Sequence, residues 1–163
     1  MQKLNQKYIY SVVKKALDED LKPRGDITTN LISSKNKKSK AKIIAKQNGI
    51  IAGLDFCKAA FKLIEKEASF KAKIKDGKKI KKNKVIAEII AKTKTILIAE
   101  RTALNFLNHA SGIATLTNQY VKKTNKNTKI CCTRKTTPNL RLLEKYAVKK
   151  GGGHNHRYNL SDE

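Results

Sequence analysis

Residues 130–157 read ICCTRKTTPNLRLLEKYAVKKGGGHNHR, and their pattern predicts the fold class. Its first four residues, 130–133, form a short apolar segment typical of a β-strand. Residues 139–150 then place their apolar side chains at helical spacing along one face. A strand, a polar loop and a helix in this order predict the first βα unit of a parallel sheet or barrel.

The ends of the predicted helix carry recognisable signals. Thr137 is expected at the N-cap position with Pro138 at the first helical position, a combination that favours helix initiation. Lys149 and Lys150 fall in the last turn, where cations are favourable. Gly151 is then expected to end the helix in the left-handed conformation.

The loop between strand and helix has the composition of an anion site. Thr133, Arg134 and Lys135 follow the strand, and two more threonines precede the helix. Two cations, several hydroxyls and the amides of a helix N-terminus together suit phosphate or carboxylate. The alternative is a solvated basic turn, which is common on protein surfaces.

Arginine is scarce in this chain, which makes its positions informative. Only five of the 37 basic residues are arginine, and four of them lie in the last 63 residues: Arg101, Arg134, Arg141 and Arg157. The guanidinium fork binds carboxylate or phosphate bidentately, and lysine cannot copy it. Arg141 is expected at an exposed helix position near Glu144 and Lys145, so we leave it out of the candidate site.

The glycine-rich end of the stretch adds two histidines. The three glycines at 151–153 allow a tight turn or a close approach to a ligand. His154 and His156 face the same side of an extended segment, and a pair lining an anion pocket is favoured over a metal site because only Asp162 and Glu163 lie nearby. His109, inside a predicted helix, receives no role.

The residues before this stretch predict a mainly antiparallel α+β unit. Amphipathic spacing indicates helices, and alternating or β-branched segments indicate strands. Residues 24–30 (RGDITTN) predict a turn leading into an extended segment, and Asp76-Gly77 predicts a second turn. The expected helices are residues 7–20, ending by Pro23, residues 54–68, and residues 96–121, where Gly112 is a break or a close-packing point between two helices. The expected strands are residues 40–51, 69–75 and 85–91.

The composition limits the function classes. The net charge of +24 raises nucleic acid as a partner, and residues 35–94 alone carry 19 lysines against five acids. A solvated lysine face is favoured over a polyanion surface, since aromatic content is only 6% and no basic–aromatic interleaving supports base stacking. Nucleic acid is therefore an unlikely partner.

The cysteines and the apolar segments indicate a compartment. Three cysteines without framework spacing favour reducing surroundings, so we expect a cytoplasmic protein. Residues 1–13 lack the apolar centre of a signal peptide, and no apolar run is long enough to span a bilayer. We expect no membrane association.

Three segments carry a resemblance to a known family: GDITT at residues 25–29, AERTALNFLNHASGIATLTNQYV at 99–121 and TRKTTPNLRLLEKYAVKKGGGHNHR at 133–157. Together they resemble quinolinate phosphoribosyltransferase (nicotinate-nucleotide pyrophosphorylase, carboxylating). The resemblance implies an α/β fold, with an N-terminal α+β sandwich domain at residues 1–98 and the start of an incomplete α/β barrel at residues 99–163.

The resemblance also implies an activity. Quinolinate would react with phosphoribosyl pyrophosphate (PRPP) to give nicotinate mononucleotide, pyrophosphate and CO2, with Mg2+ on the pyrophosphate. The enzyme would be a homodimer or higher homo-oligomer with a shared active site. The alternatives are a related phosphoribosyltransferase acting on another pyridine acid, and a lysine-rich nucleic-acid-binding module.

Family roles transfer to matching residues of this chain. Arg101 would reach the quinolinate carboxylate in the partner subunit's site, and Lys135 and Arg134 would act in catalysis. The implied substrate-binding residues are Arg101, Thr133, Arg134, Lys135, His156 and Arg157. No residue of the chain is assigned to metal binding.

The chain departs from the family pattern in three places. Cys132 stands where many relatives have Asp, and Asn139 stands where Gly is common. At residue 163 a relative would be entering its next barrel strand. We therefore expect an incomplete barrel that is inactive alone.

Overall fold

The computed structural model describes residues 4–32, 37–125 and 127–162. Parts of some predictions, namely residues 1–3, Lys35, Lys126 and Glu163, fall outside these residues. The elements in chain order are α1 Gln6–Leu21, α2 Ile27–Ile32, β1 Lys38–Ile44, β2 Gly49–Ile50, α3 Leu54–Ile64, β3 Ser69–Ala72, β4 Lys79–Ile80, β5 Val85–Lys92, α4 Thr93–Lys123, β6 Cys131–Cys132, α5 Arg141–Lys150 and β7 His154–Asn155.

The N-terminal part is built on a three-stranded antiparallel sheet in the order β1-β5-β3. Strands β2 and β4 form a second, separate antiparallel pair. Helices α1, α3 and α4 pack together, and α4 also contacts the sheet. Burial of their apolar faces drives this packing. The largest buried apolar side chains include Phe56, Ile9, Ile89, Leu107 and Leu143.

Strand β1 alternates between exposed and half-buried side chains along its length. In β1, Lys40 and Lys42 are exposed while Ala41 and Ile43 are half-buried against the core. The exposed face is partly neutralised by Glu88 on β5, whose carboxylate lies 2.8 Å from Lys73 Nζ. This face has the pattern of a solvated sheet surface.

For residues 24–30 the prediction was a turn leading into an extended segment; a turn is present at residue 24, but residues 27–32 form the helix α2, so the extended segment is wrong. The Asp26 carboxylate accepts hydrogen bonds from the backbone N–H of Thr29 at 2.9 Å and from its hydroxyl at 2.5 Å. A carboxylate that binds the amide three residues ahead caps a helix start. This local bond outweighs the β preference of the two threonines in α2.

The prediction of a break or a close-packing point at Gly112 is also wrong, because α4 is one continuous helix of 31 residues. Its buried face includes Ala103, Leu107, Ala110 and Ala114, which recur at helical spacing throughout. Gly112 lies on the exposed side, and a Cβ there would meet no described atom within 4 Å. Tertiary packing of one continuous face outweighs the low helix propensity of a single glycine.

The β6–α5–β7 unit confirms the predicted parallel connection, since β6 and β7 pair in parallel. Its helix boundaries differ from the prediction. Helix α5 begins at Arg141 rather than 139, and its N-cap is Leu140 instead of Thr137. Asn139, with φ of 65°, turns the chain just before the helix. Pro138 lies in this turn, ahead of the first helical residue.

The end of α5 also differs from the prediction in one residue. Gly151 keeps a right-handed conformation with φ of −75°, whereas Gly152 takes the left-handed one with φ of 94°. The helix still ends at Lys150 as predicted, and only the left-handed residue comes one position later than expected. Gly152 rather than Gly151 supplies the conformation that disfavours a side chain.

The fold class is confirmed as mixed α/β, with an α+β unit followed by a β6–α5–β7 unit of parallel sheet. Within the described residues, no helix combines the length and apolar character needed to cross a bilayer.

Candidate functional site

Two loops leave the same edge of the short parallel pair. Cys131 lies opposite His154 and Cys132 lies opposite Asn155. Because paired parallel strands end at the same sheet edge, the residues that follow them emerge side by side. We define residues 133–137 as the first loop and residues 156–160 as the second loop. Five of the six candidate binding residues lie on these loops.

The first loop is folded by its own hydrogen bonds. The Lys135 backbone N–H donates to Thr133 Oγ1 at 3.1 Å, and the Thr136 N–H donates to the Arg134 carbonyl at 2.9 Å. The side chains of Thr133 and Lys135 are exposed. The loop therefore presents a hydroxyl and an ammonium group to its surroundings.

Arg134 is the distinctive side chain of the first loop. It is half-buried, and its Nε is buried without a hydrogen-bond partner among the described residues. Buried polar groups in proteins are nearly always paired, so an unpaired guanidinium N–H calls for an acceptor. A carboxylate or phosphate oxygen is the acceptor that suits it best.

The second loop carries the remaining two candidate residues. The side chains of His156 and Arg157 are exposed, while the loop backbone is held from within. Asp162 accepts a hydrogen bond from the Tyr158 N–H at 2.7 Å, and the Tyr158 hydroxyl accepts one from Asn155 Nδ2 at 2.7 Å. The exposed cation and imidazole thus stand on a braced loop.

The expected free amides at the start of α5 are partly occupied by the chain itself. Both carboxylate oxygens of Glu144 accept from the Thr137 N–H at 3.3 Å. Glu144 also lies 3.0 Å from His109 Nε2, so this histidine connects α4 to α5. Glu144 is therefore the anion bound by the loop ahead of α5, at Thr137, three residues before the N-cap Leu140, and the cationic side chains are left to bind a ligand.

Arg141 and Lys145 are structural contributors to the site that the sequence did not identify. Arg141 is half-buried rather than exposed, and it bonds both loops. Lys145 is only 1% exposed. It lies two residues from Leu143 and two from Ala147, off the apolar stripe, so helical periodicity offered no signal for its burial.

The glycines at the end of α5 serve packing. A Cβ on Gly151 would collide with the Ala114 carbonyl oxygen, and a Cβ on Gly153 would lie 2.8 Å from Thr117 Cγ2. Both neighbours belong to α4. The glycine segment therefore makes a close approach as expected, but it approaches helix α4 rather than a ligand.

Arg101 stands apart from the two loops. It is exposed on α4 and lines a cavity of about 570 Å³ with residues of α1 and α4. None of the first- and second-loop residues lines this cavity. Within one chain, Arg101 does not join the other candidate residues.

The acidic residues beside the loops do not provide a magnesium site. Glu144 and Asp162 are each engaged by backbone amides. Among the described residues, no group of three or more His, Cys, Asp or Glu side chains is arranged to hold a metal ion. Magnesium prefers free carboxylate oxygens, so we derive no step through it from this chain's residues.

The fold and the site define a class: an α+β domain followed by a βαβ unit with cationic loops at the carboxyl ends of its strands. The model described as quinolinate phosphoribosyl transferase, N-terminal domain, matches residues 26–111, and that of the C-terminal domain matches residues 113–163. The chain belongs to the quinolinate phosphoribosyltransferase family.

Similar proteins agree with this assignment. The chain is 46% identical over 158 residues to a probable nicotinate-nucleotide pyrophosphorylase [carboxylating] of Methanocaldococcus jannaschii, covering 95% of this chain and 54% of that protein. The Bacillus subtilis protein of the same name is 43% identical, and the match covers 85% of this chain and 48% of that protein. The chain thus spans about half the length of these relatives.

Solved structures show the same relation. The crystal structure of NadC from Streptococcus pyogenes superposes with a TM-score of 0.93 at 43% identity, covering 98% of this chain and 57% of that one. The structure of the nicotinate-nucleotide pyrophosphorylase from Francisella tularensis superposes with a TM-score of 0.91 at 38% identity. This match covers 98% of this chain and 57% of that one.

Proposed function

We propose that the protein transfers the phosphoribosyl group of PRPP to quinolinate, giving nicotinate mononucleotide, pyrophosphate and CO2. One observation carries the proposal: Arg134, whose buried Nε has no hydrogen-bond partner among the residues that the structure describes, lies in a loop at the shared edge of β6 and β7. The names of the relatives support the substrate, and the cations of both loops suit a dicarboxylate.

Each loop residue has a role in this proposal. Arg134 and Lys135 bind the quinolinate carboxylates and act in catalysis, and Thr133 shapes the pocket beside them. His156 and Arg157 close the pocket from the second loop. Fixed cations hold the dianion in one orientation against C1 of the ribose, which lowers the entropic part of the barrier.

The chemistry requires oriented charge and no covalent intermediate on the protein. As pyrophosphate departs, positive charge develops on the ribosyl ring while the quinolinate nitrogen approaches it. Once the bond from this nitrogen to C1 has formed, the carboxylate at C2 of the pyridine ring leaves as CO2 and C2 takes up a proton. Preorganised cations offset the negative charges of the substrates without reorganising during the reaction. Magnesium bound to PRPP would add positive charge on the pyrophosphate side. The groups that hold this magnesium would not be the acidic residues described beside the two loops.

Arg101 requires a second protomer in this scheme. It lies on α4, apart from the loops of its own chain. We propose a homodimer or higher homo-oligomer in which Arg101 reaches the partner's quinolinate.

We also propose that the two domains divide at residues 98/99. This point lies within α4, and so does the junction between the two family matches at residues 111/113. The cysteine pattern supports a cytoplasmic location.

The test is Arg134→Ala in the full-length protein. We expect turnover of quinolinate to fall on the order of 10²-fold or more, because the variant loses a preorganised guanidinium at the site. Nicotinate mononucleotide formation measures the activity, and circular dichroism checks that the fold is retained. Arg24→Ala, which removes an exposed arginine outside both loops, is the matched control.

Two outcomes would contradict the proposal. Unchanged turnover in a folded Arg134→Ala protein would remove Arg134 from the site. Calorimetric titration that finds nicotinate binding more tightly than quinolinate would reassign the substrate to a monocarboxylate.

A further inference from the structure

Lys145 connects the two loops from beneath. Its Nζ donates a hydrogen bond to Cys132 Sγ at 3.0 Å and another to the His156 backbone carbonyl at 3.2 Å. Cys132 immediately precedes the first loop, and His156 begins the second. One buried side chain of α5 thus holds both points at which the loops leave the sheet.

Arg141 makes a parallel connection one turn earlier on α5. Its Nε donates to Thr136 Oγ1 at 3.1 Å in the first loop, and its Nη1 donates to the Tyr158 carbonyl at 2.9 Å in the second. Residues four apart lie on the same face of a helix. We call Arg141 and Lys145 the α5 clamp.

The buried charge of Lys145 is unusual in its surroundings. It forms no salt bridge with an Asp or Glu among the described residues. Its neighbours are a thiol, a carbonyl oxygen and the Tyr158 ring, whose centroid lies 5.0 Å from Nζ. A buried ammonium without a carboxylate is weak evidence for stability, which points to a different reason for its presence.

We propose that Lys145 is a positioning residue that fixes the first and second loops relative to one another, so that Arg134–Lys135 and His156–Arg157 bind one dianion together. This inference rests on the proposed function for the identity of the dianion. The fixed spacing of the loops itself rests only on the contacts of the α5 clamp.

The first test is Lys145→Met in the full-length protein without ligand. Methionine fills a similar volume, so the thermal midpoint should be unchanged or raised. Amide hydrogen exchange should accelerate in both loops roughly tenfold or more, the factor set by losing a hydrogen bond to a charged group. Lys149→Met, an exposed lysine on the same helix, should leave both loops unchanged.

The second test is calorimetric titration with quinolinate. We expect Lys145→Met to weaken binding on the order of 10²-fold, since small misplacements of binding groups are costly, while Lys149→Met binds as the wild type does. Unchanged affinity, or faster exchange in only one loop or in neither, would overturn the proposal. If the wild-type protein binds no quinolinate, that result would contradict the proposed function instead. The hydrogen-exchange result would then be the only test of the positioning role of Lys145.

A further pair of variants covers the case in which Lys145→Met does not fold. Cys132→Ala removes one acceptor of Lys145, and Cys132→Ser keeps an acceptor at the same place. We expect faster exchange in the first loop for the alanine variant and near wild-type exchange for the serine variant. Equal behaviour of the two would contradict the role of this contact. Cys131→Ala, at the exposed neighbouring position, is the control.

Discussion

At the scale of single residues, Asp26 shows how one side chain sets local structure. The hydrogen bond from the Thr29 hydroxyl, followed by the one from the Thr29 amide, lowers the pKa of Asp26 below its ordinary value of 3.8. Thr29 is itself buried, so the pair connects the start of α2 to the protein interior. The charged form of Asp26 is therefore the form that the fold favours.

Thr29→Val should raise the pKa of Asp26 toward 3.8, because the variant loses the hydroxyl donor and keeps the amide. A carboxyl with a lowered pKa contributes stability above its unfolded pKa, and this contribution is lost as pH falls through the folded pKa. The variant should therefore lose less stability on acidification than the wild type. Carbon-13 NMR titration of the carboxyl measures the shift, and Thr28→Val at the exposed neighbouring position should not move it.

At the scale of elements, the contact between α4 and α5 depends on missing side chains. Gly151 places its backbone against the Ala114 carbonyl and Thr117 of α4. That approach positions α5, and with it the cations that hold the two loops. Gly112 on the opposite, exposed side of α4 makes no such contact. The same residue type thus has opposite consequences at two positions.

Gly151→Ala should lower the free energy of unfolding by roughly 1–3 kcal/mol, the usual range for an added methyl in a packed contact. Gly112→Ala should raise it by roughly 0.5–1 kcal/mol, because alanine is the better helix former and has open space there. Denaturant unfolding curves measure both values. Changes of equal sign in the two variants would refute the packing argument.

At the scale of the whole molecule, Asp76 joins the N-terminal unit to α5. Its carboxylate accepts hydrogen bonds from the Gly53 and Leu54 amides at the start of α3 and from the Tyr146 hydroxyl at 2.7 Å. Burial, the largest cause, raises the pKa of Asp76, although these hydrogen bonds oppose the shift. Burial and the charge of Asp76 also raise the pKa of Tyr146 above its ordinary value, so its hydroxyl remains a donor well above neutral pH.

Tyr146→Phe should raise the pKa of Asp76 further, since the hydroxyl bond lowers it. A carboxyl whose folded pKa is raised favours folding most below its unfolded pKa, near 3.8, and that contribution is lost as pH rises through the folded value. The variant should therefore be destabilised at neutral pH by roughly 1.5 kcal/mol, the lower end for a bond to a charged group, and less below pH 3.8.

Unfolding curves at both pH values, together with NMR titration of Asp76, measure this effect. Tyr120→Phe on the exposed side of α4 is the control. A loss of stability in Tyr146→Phe that is equal at both pH values would show that the hydroxyl bond does not depend on the charge of Asp76.

The family, the order of the two units and the parallel strand–helix connection could all be predicted from the amino-acid sequence. The long helices and the strands β3 and β5 could also be placed to within a few residues, whereas the one strand predicted at residues 40–51 is two strands, β1 and β2, that lie in different sheets. These features depend on periodic burial and on motifs that are local in the chain, such as TRKT at residues 133–136. The roles of Arg101, Thr133, Arg134, Lys135, His156 and Arg157 remain predictions.

The support of the site depends on tertiary packing, which the sequence pattern did not reveal. Lys145 is buried although it lies off the apolar stripe of its helix. Arg141 and Gly151 contact residues that are distant in the sequence. The continuity of α4 through Gly112 has the same origin, since packing along a whole face outweighs one residue's propensity. Helical spacing reports which face is apolar; it carries no information about which polar side chain a neighbouring strand or helix will cover.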